Sequence, residues 1–318
     1  MSYVGPDFDP PRPRRSRRLL TVAVAALVPG ALAGWLLWLA LDDDSDGGAA
    51  ARQTPGAASS APGDNAGSPA GSASATDDDR RPSPSDSTSS APAATPLKGK
   101  VVVIDPGHNP GNFRHTAEIN RKVDIGTNSK ECDTTGTATN SGYAEAQFTL
   151  DVSRRLRTIL QKQGATVKFT QDDDRSWGPC VDERAEIGNR AHADAAISIH
   201  ADGSGAGNRG FHVILPGPVH EGAADTRPIV APSRELGERV AGGFARETGT
   251  GASNYIGDGT GLDVRTDLGG LNLSTVPKVF IECGNMRDSE DAALLTSGAW
   301  RQRAARGISE GIVSFLRE

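Results

Sequence analysis

The chain is short of the side chains that build a core evenly along its length. Aromatic residues make up 5% and hydrophobic residues 36% of its 318 positions, which excludes one uniformly folded body. Positive charge is not in excess. A net charge of −6 argues against a general nucleic-acid binder, which would carry a basic field over its folded part. No internal repeat is visible. Cysteines number three, an odd count that allows at most one intrachain disulfide. Cys132 and Cys180 sit in polar, loop-like sequence, whereas Cys283 follows an apolar, strand-like run. Outside the cytoplasm a Cys132–Cys180 pair is therefore expected, contributing about 4 kcal/mol in the chain-entropy model; the alternative is three unpaired thiols.

Long apolar runs are also rare, and the one that exists is near the start. Arg12, Arg14, Arg15, Arg17 and Arg18 stand just before an uncharged stretch from Leu19 to Leu41. Crossing a bilayer takes about 20 apolar residues. Trp35 and Trp38 lie near its far end, and Asp42, Asp43 and Asp44 follow it. That arrangement places residues 1–18 in the cytoplasm as a basic tail and makes 19–41 a single-pass signal-anchor in the cytoplasmic membrane. Ala31-Leu32-Ala33 also resembles a signal-peptidase site, and cleavage near Ala33 would give a secreted protein. Against cleavage, Gly34 to Leu41 would leave an apolar stub carrying two tryptophans. Either way, everything downstream is exported.

Residues 42–96 are Ala, Gly, Ser, Pro and Asp with almost no large apolar side chain. They cannot bury enough surface to offset the entropy of ordering and read as a disordered linker, a flexible tether. After Pro96 the pattern changes, and residues 97–318 read as a single catalytic domain. Lys100–Asp105 is a short buried strand running into a Pro-Gly turn. Residues 106–141 are a Gly-, Asn- and Thr-rich insertion. From Gly142 to Gln163, Phe148, Val152, Leu156, Ile159 and Leu160 keep helical spacing. Strands follow at Ala165–Thr170, Ala195–His200, Phe211–Leu215 and Val279–Cys283, with helices at Val181–Ala193, Ser233–Thr248 and Trp300–Leu316. This alternation predicts an α/β fold, a mostly parallel sheet with helices on both faces.

In such sheets chemistry gathers beyond the carboxyl ends of the strands. One strand runs into Asp105-Pro106-Gly107-His108, another ends in Ser198-Ile199-His200-Ala201-Asp202, and a third in Phe280-Ile281-Glu282-Cys283-Gly284, while Glu145 falls in the first turn of the first long helix. Two histidines and a carboxylate form a common open zinc site, and a further carboxylate can move the proton of an activated water. Taken singly, each residue has a plainer reading. A strand-end histidine is commonly a satisfied polar group, and Glu145 complements the helix dipole. His115, His192, His212 and His220 are expected at the surface or in loops, with His212 kept as a weak candidate to support the site. Spacing alone leaves a zinc hydrolase open.

The ordered set does more. Ile104-Asp105-Pro106-Gly107-His108, Glu145, Ala193 to Asp202 and Val279 to Gly284, with Asp182-Glu183-Arg184 and Gly188-Asn189-Arg190 between, resembles the zinc-dependent N-acetylmuramoyl-L-alanine amidase family of the Amidase_3 type over residues 99–317. The resemblance implies one Zn2+ held by His108, Glu145 and His200, with Glu282 as the catalytic residue. It implies hydrolysis of the lactyl–L-alanine amide of peptidoglycan or muropeptides, in wall remodelling or cell separation, by a monomer with no nucleic-acid partner. A non-catalytic peptidoglycan-binding or regulatory protein keeping the fold is the alternative, and a zinc peptidase or deacetylase a third reading. Two departures stand out. Asn285 replaces the phenylalanine frequent after Glu-x-Gly, and Gly269 to Leu273 differs from the family's frequent Leu-Arg. The 109–140 insertion, which carries Cys132, is longer than the shortest family members carry. Gating the cleft, shaping specificity and covering an apolar edge remain open roles for it. No separate wall-binding repeat is visible.

Overall fold

The computed structural model describes residues 95–318, so the expected cytoplasmic tail, signal-anchor and nearly all of the linker lie outside the described residues. No helix among the described residues is long and apolar enough to cross a membrane.

In chain order the described elements are β1 (Val101–Pro106), α1 (Thr116–Ile119), β2 (Lys122–Asp124), β3 (Ser129–Glu131), α2 (Glu145–Lys162), β4 (Thr166–Phe169), α3 (Val181–Arg190), β5 (Ala195–Asp202), β6 (His212–Pro216), β7 (His220–Glu221), β8 (Ala224–Asp225), α4 (Val230–Thr248), β9 (Leu262–Arg265), α5 (Gly269–Asn272), β10 (Lys278–Asn285), α6 (Ser289–Thr296) and α7 (Gly298–Leu316). Six strands form one sheet in the order β4-β1-β5-β10-β6-β9. The pairs β1–β4, β1–β5, β5–β10 and β6–β9 are parallel, and β6 runs antiparallel to β10. The sheet is thus the mostly parallel one expected, with a single reversal. Its cause is connection length. Only residues 203–211 separate β5 from β6, fewer than the dozen or so that a parallel crossover takes.

Alternation along the strands divides the sheet into two unlike faces. Val102, Ile104, Ile197, Ile199, Val279 and Ile281 point to one side and form the main core with Phe148, Leu156, Val240, Phe244, Trp300 and Ile308 of α2, α4 and α7. Gly237 lets α4 lie close on the sheet, where a β-carbon would overlap Leu215, and Gly311 lets α7 approach α4, where one would overlap the Val240 backbone. The opposite face carries a small apolar cluster of Val103, Ala193, Ala196 and Val276, packed by Ile187 of α3. Along the same face run Asp105, Ser198, His200, Lys278, Phe280 and Glu282. A sheet face bearing that many polar groups is built for a site rather than for a core.

The 109–140 insertion is ordered. It holds α1 and the β2–β3 hairpin, and Val123, Ile125 and Cys132 pack with Cys180, Trp177 and Val181 into a third cluster. Cys132 and Cys180 are bridged, and Cys283 is buried and free.

Candidate active site

The turn after β1 delivers His108, the end of β5 delivers His200, and the first residue of α2 delivers Glu145 to the same carboxyl edge of the sheet. One ligand atom from each of the three lies within 4.8 Å of the others. The Glu145 carboxylate bridges the imidazoles: Oε2 is 3.1 Å from His108 Nε2 and Oε1 is 3.0 Å from His200 Nδ1. Backbone N–H groups of Thr137 at 2.9 Å and of Ala201 at 3.2 Å donate to the same carboxylate. Burial would raise the Glu145 carboxyl, but the His108 and His200 imidazoles hold it well below the usual range. Two glycines leave room for the cluster. A β-carbon on Gly107 would overlap the His200 ring, and one on Gly136 would come within 2.7 Å of His108 and 2.8 Å of Glu145.

Glu282 stands beside this set. In the sheet it pairs with His200 on β5 and with His212 on β6. Its Oε2 is shielded from solvent and has no hydrogen-bond partner. Burial, then the Glu145 and Asp202 carboxylates, push its carboxyl well above the ordinary range. A carboxylic group kept basic and unpartnered is suited to taking up a proton.

Beneath the cluster lies a charged layer that the motifs alone did not single out. Asp105 is buried and accepts from Arg184 at 2.7 Å, Lys278 at 3.2 Å, Ser198 at 2.5 Å and Thr170 at 2.6 Å. Burial would raise its carboxyl, but Lys278 and Arg184 hold it far below the carboxylate range. Arg184 also donates to the carbonyls of Pro106 at 2.7 Å and His108 at 3.1 Å. The signal was present in the sequence: a lysine opening the apolar run Val279–Ile281 and an aspartate closing Val101–Ile104 both had to find partners inside.

A cavity of about 270 Å³ opens against His108 and His200. Lys130, Glu131 and Thr134 of the insertion form one wall, and Leu268 to Gly270 form another. Phe280 also lines it, stacked on His200 with ring centroids 5.3 Å apart. The insertion therefore walls the cleft rather than only covering an apolar edge, and the unusual Gly269–Gly270 segment faces it. Asn285, in place of the family's phenylalanine, is buried and donates to the carbonyls of Ser204, Gly205 and Asn208, fixing the loop after β5.

Of the remaining histidines, His115 is partly exposed and His192 and His220 are exposed, in line with the sequence. His212 is not a surface or loop residue: it is buried inside β6, edge-on to Tyr255 at 6.0 Å between ring centroids. Tyr255 in turn donates to Asp202 at 2.7 Å. Tyr255 carried no motif and lies in glycine-rich sequence, so nothing short of the fold could have placed it.

Similarity to known proteins agrees with the geometry. The family model described as N-acetylmuramoyl-L-alanine amidase (Amidase_3) matches residues 102–314. An N-acetylmuramoyl-L-alanine amidase of Mycobacterium tuberculosis is 40% identical over 230 residues, covering 71% of this chain and 91% of that protein. The crystal structure of an N-acetylmuramyl-L-alanine amidase of Mycobacterium smegmatis superposes with a TM-score of 0.63 at 39% identity, covering 69% of this chain and 98% of the other. The apo form of the Mycobacterium abscessus amidase gives the same TM-score of 0.63 and 39% identity, over 69% of this chain and 100% of the other. With its four motif segments gathered at one sheet edge and its match running through nearly the whole described domain, the chain belongs to the N-acetylmuramoyl-L-alanine amidase family of the Amidase_3 type.

Proposed function

We propose that this N-acetylmuramoyl-L-alanine amidase uses one zinc ion, held by His108, Glu145 and His200, to hydrolyse the amide between the lactyl group of N-acetylmuramic acid and L-alanine of the stem peptide. The observation that carries the reading is the gathering of those three donors within 4.8 Å beside a shielded, unpartnered carboxylate, Glu282 Oε2. Two imidazoles and one carboxylate are a donor set that suits zinc and leaves a coordination position open. Gly107 and Gly136 let the two imidazoles and the carboxylate stand this close, where a β-carbon would overlap them. Bound zinc would supply Lewis acidity, bringing water to a pKa of about 7 and polarising the scissile carbonyl.

The remaining work falls to the chain itself. Glu282, kept basic by burial and by its acidic neighbours, accepts the proton of the attacking water and returns it to the L-alanine nitrogen as the C–N bond breaks. Phe280 and the Leu268–Gly270 wall border the cavity in which the substrate chain lies, and the insertion closes its other side. The proposed domain spans 97–318, carried by the 42–96 tether on the 19–41 anchor, so that it works on peptidoglycan outside the cytoplasm.

Mass analysis of products from muropeptides incubated with the purified protein tests the reading. The expected product is an intact stem peptide with a free L-alanine amine, together with the peptide-free glycan fragment. Shortened stem peptides would point to a peptidase, acetate release to a deacetylase, and unchanged substrate to a binding protein.

A further inference from the structure

His108 is held in a conformation its own backbone disfavours. Its φ is 61°, in the left-handed region that a residue with a β-carbon rarely adopts. Two side chains fix its carbonyl there, Gln171 Nε2 at 3.0 Å and Arg184 Nη2 at 3.1 Å. The ring is fixed from another side. Nδ1 lies 3.1 Å from the Thr134 carbonyl oxygen and 3.5 Å from Asp133 Oδ1, so that Nε2 is the nitrogen turned toward Glu145. The other Asp133 oxygen is 2.9 Å from Arg184 Nη2. One buried guanidinium thus grips both the backbone of His108 and the carboxylate beside its ring.

Asp133 and Thr134 follow directly on Cys132, and Cys132 is bridged to Cys180. Cys180 immediately precedes α3, the helix that carries Arg184. The Cys132 carbonyl also accepts the Val181 N–H at 2.8 Å, so the insertion is joined to the start of α3 at the bridge, one residue before Asp133 meets Arg184. Beyond Thr134 the segment Thr135-Gly136-Thr137 is small and polar and offers no apolar anchor of its own.

We propose that Asp133 is a positioning residue for His108, and that the Cys132–Cys180 bridge governs metal affinity by keeping Asp133 and Thr134 against the imidazole. The proposal rests on the reading of His108 as a zinc ligand and goes beyond it by making that ligand's strength depend on a disulfide. A metal-binding imidazole ordinarily donates its second N–H to a carboxylate or carbonyl, which fixes the tautomer and ring orientation, and loss of that partner weakens metal binding about 10–100-fold. Here both kinds of partner come from the two residues next to the bridge.

The test is the zinc dissociation constant of the full chain, measured by competition with a chromogenic chelator, together with the visible spectrum of the cobalt-loaded protein. Wild type is compared with Asp133→Asn and with the double variant Cys132→Ser/Cys180→Ser, and the melting temperature of each metal-free protein is recorded. Both variants are expected to bind zinc about 10–100-fold more weakly and to show a shifted cobalt spectrum. A lowered melting temperature with wild-type affinity and spectrum would mean that these residues only stabilise the fold, and would overturn the proposal. Should the double variant not fold, Asp133→Asn decides alone, and unchanged affinity there overturns it. Tight binding by wild type with no change in either variant removes this proposal but leaves the zinc reading standing; no binding by wild type removes both.

Discussion

Glu282 occupies a place where a carboxylate is costly, in a sheet position flanked by His200 and His212 with one oxygen left without a partner. Such a group is retained for chemistry rather than for stability. Glu282→Gln is accordingly expected to keep zinc while losing about 10²–10⁴-fold in turnover, whereas His108→Ala should lose both metal and activity. Metal content and turnover measured on the same preparations separate the two roles; near-normal turnover in Glu282→Gln would remove the acid–base assignment. His108, His200 and Glu282 stood out in the sequence as polar groups at strand ends, but only the ordered set of motifs and its resemblance gave them roles. Glu145 was legible only in company, since an acidic residue in a first helical turn has an ordinary explanation in the helix dipole. Asp133 was not legible at all. Its role comes from contacts with residues 25 and 51 positions away, His108 and Arg184, and no local pattern records them.

At the scale of elements, the Asp105 cluster ties β1, α3 and β10 together through Arg184 and Lys278. Asp105 is held below its ordinary carboxylate range, so its stabilising contribution is complete above about pH 4, the unfolded carboxyl value, and is lost as pH falls below it. Asp105→Asn leaves two buried cations short of a counter-charge and is expected to destabilise the domain by about 3–5 kcal/mol at neutral pH, with a smaller difference from wild type in acid. Urea denaturation at pH 7 and pH 3 checks both statements, and equal stability of the two proteins at pH 7 would contradict them. The same scale shows why parts of the fold escaped the sequence reading. The long helices and the strands flanking them announce themselves by period, but β9 is four residues, Leu262–Arg265, preceded by the glycines at 257, 259 and 261, too short for a pattern. The reversal of β6 follows from a connection length, which matters only once the strands' neighbours are known. The hairpin of β2 and β3 alternates weakly, with Val123 as its one buried apolar side chain, and it is held by the cluster around the disulfide rather than by its own residues.

For the molecule as a whole, one division of labour explains the composition. The scarcity of aromatic and apolar side chains is an average over an apolar stretch, a long segment poor in large side chains, and a domain whose core is ordinary: Phe148 and Phe244 pack against Trp300 on α2, α4 and α7. In the proposed arrangement the anchor and tether keep that domain near the wall, and the domain's polar sheet face does the cutting. His108, Glu145 and His200 converge on the proposed ion at the edge of that face. The most direct measurement is therefore the metal content of the folded protein purified under metal-replete conditions, with activity followed through chelation and zinc return. The account predicts close to one zinc per chain, loss of amidase activity on its removal, and recovery when zinc is restored; a correctly folded, active protein without stoichiometric metal would contradict it.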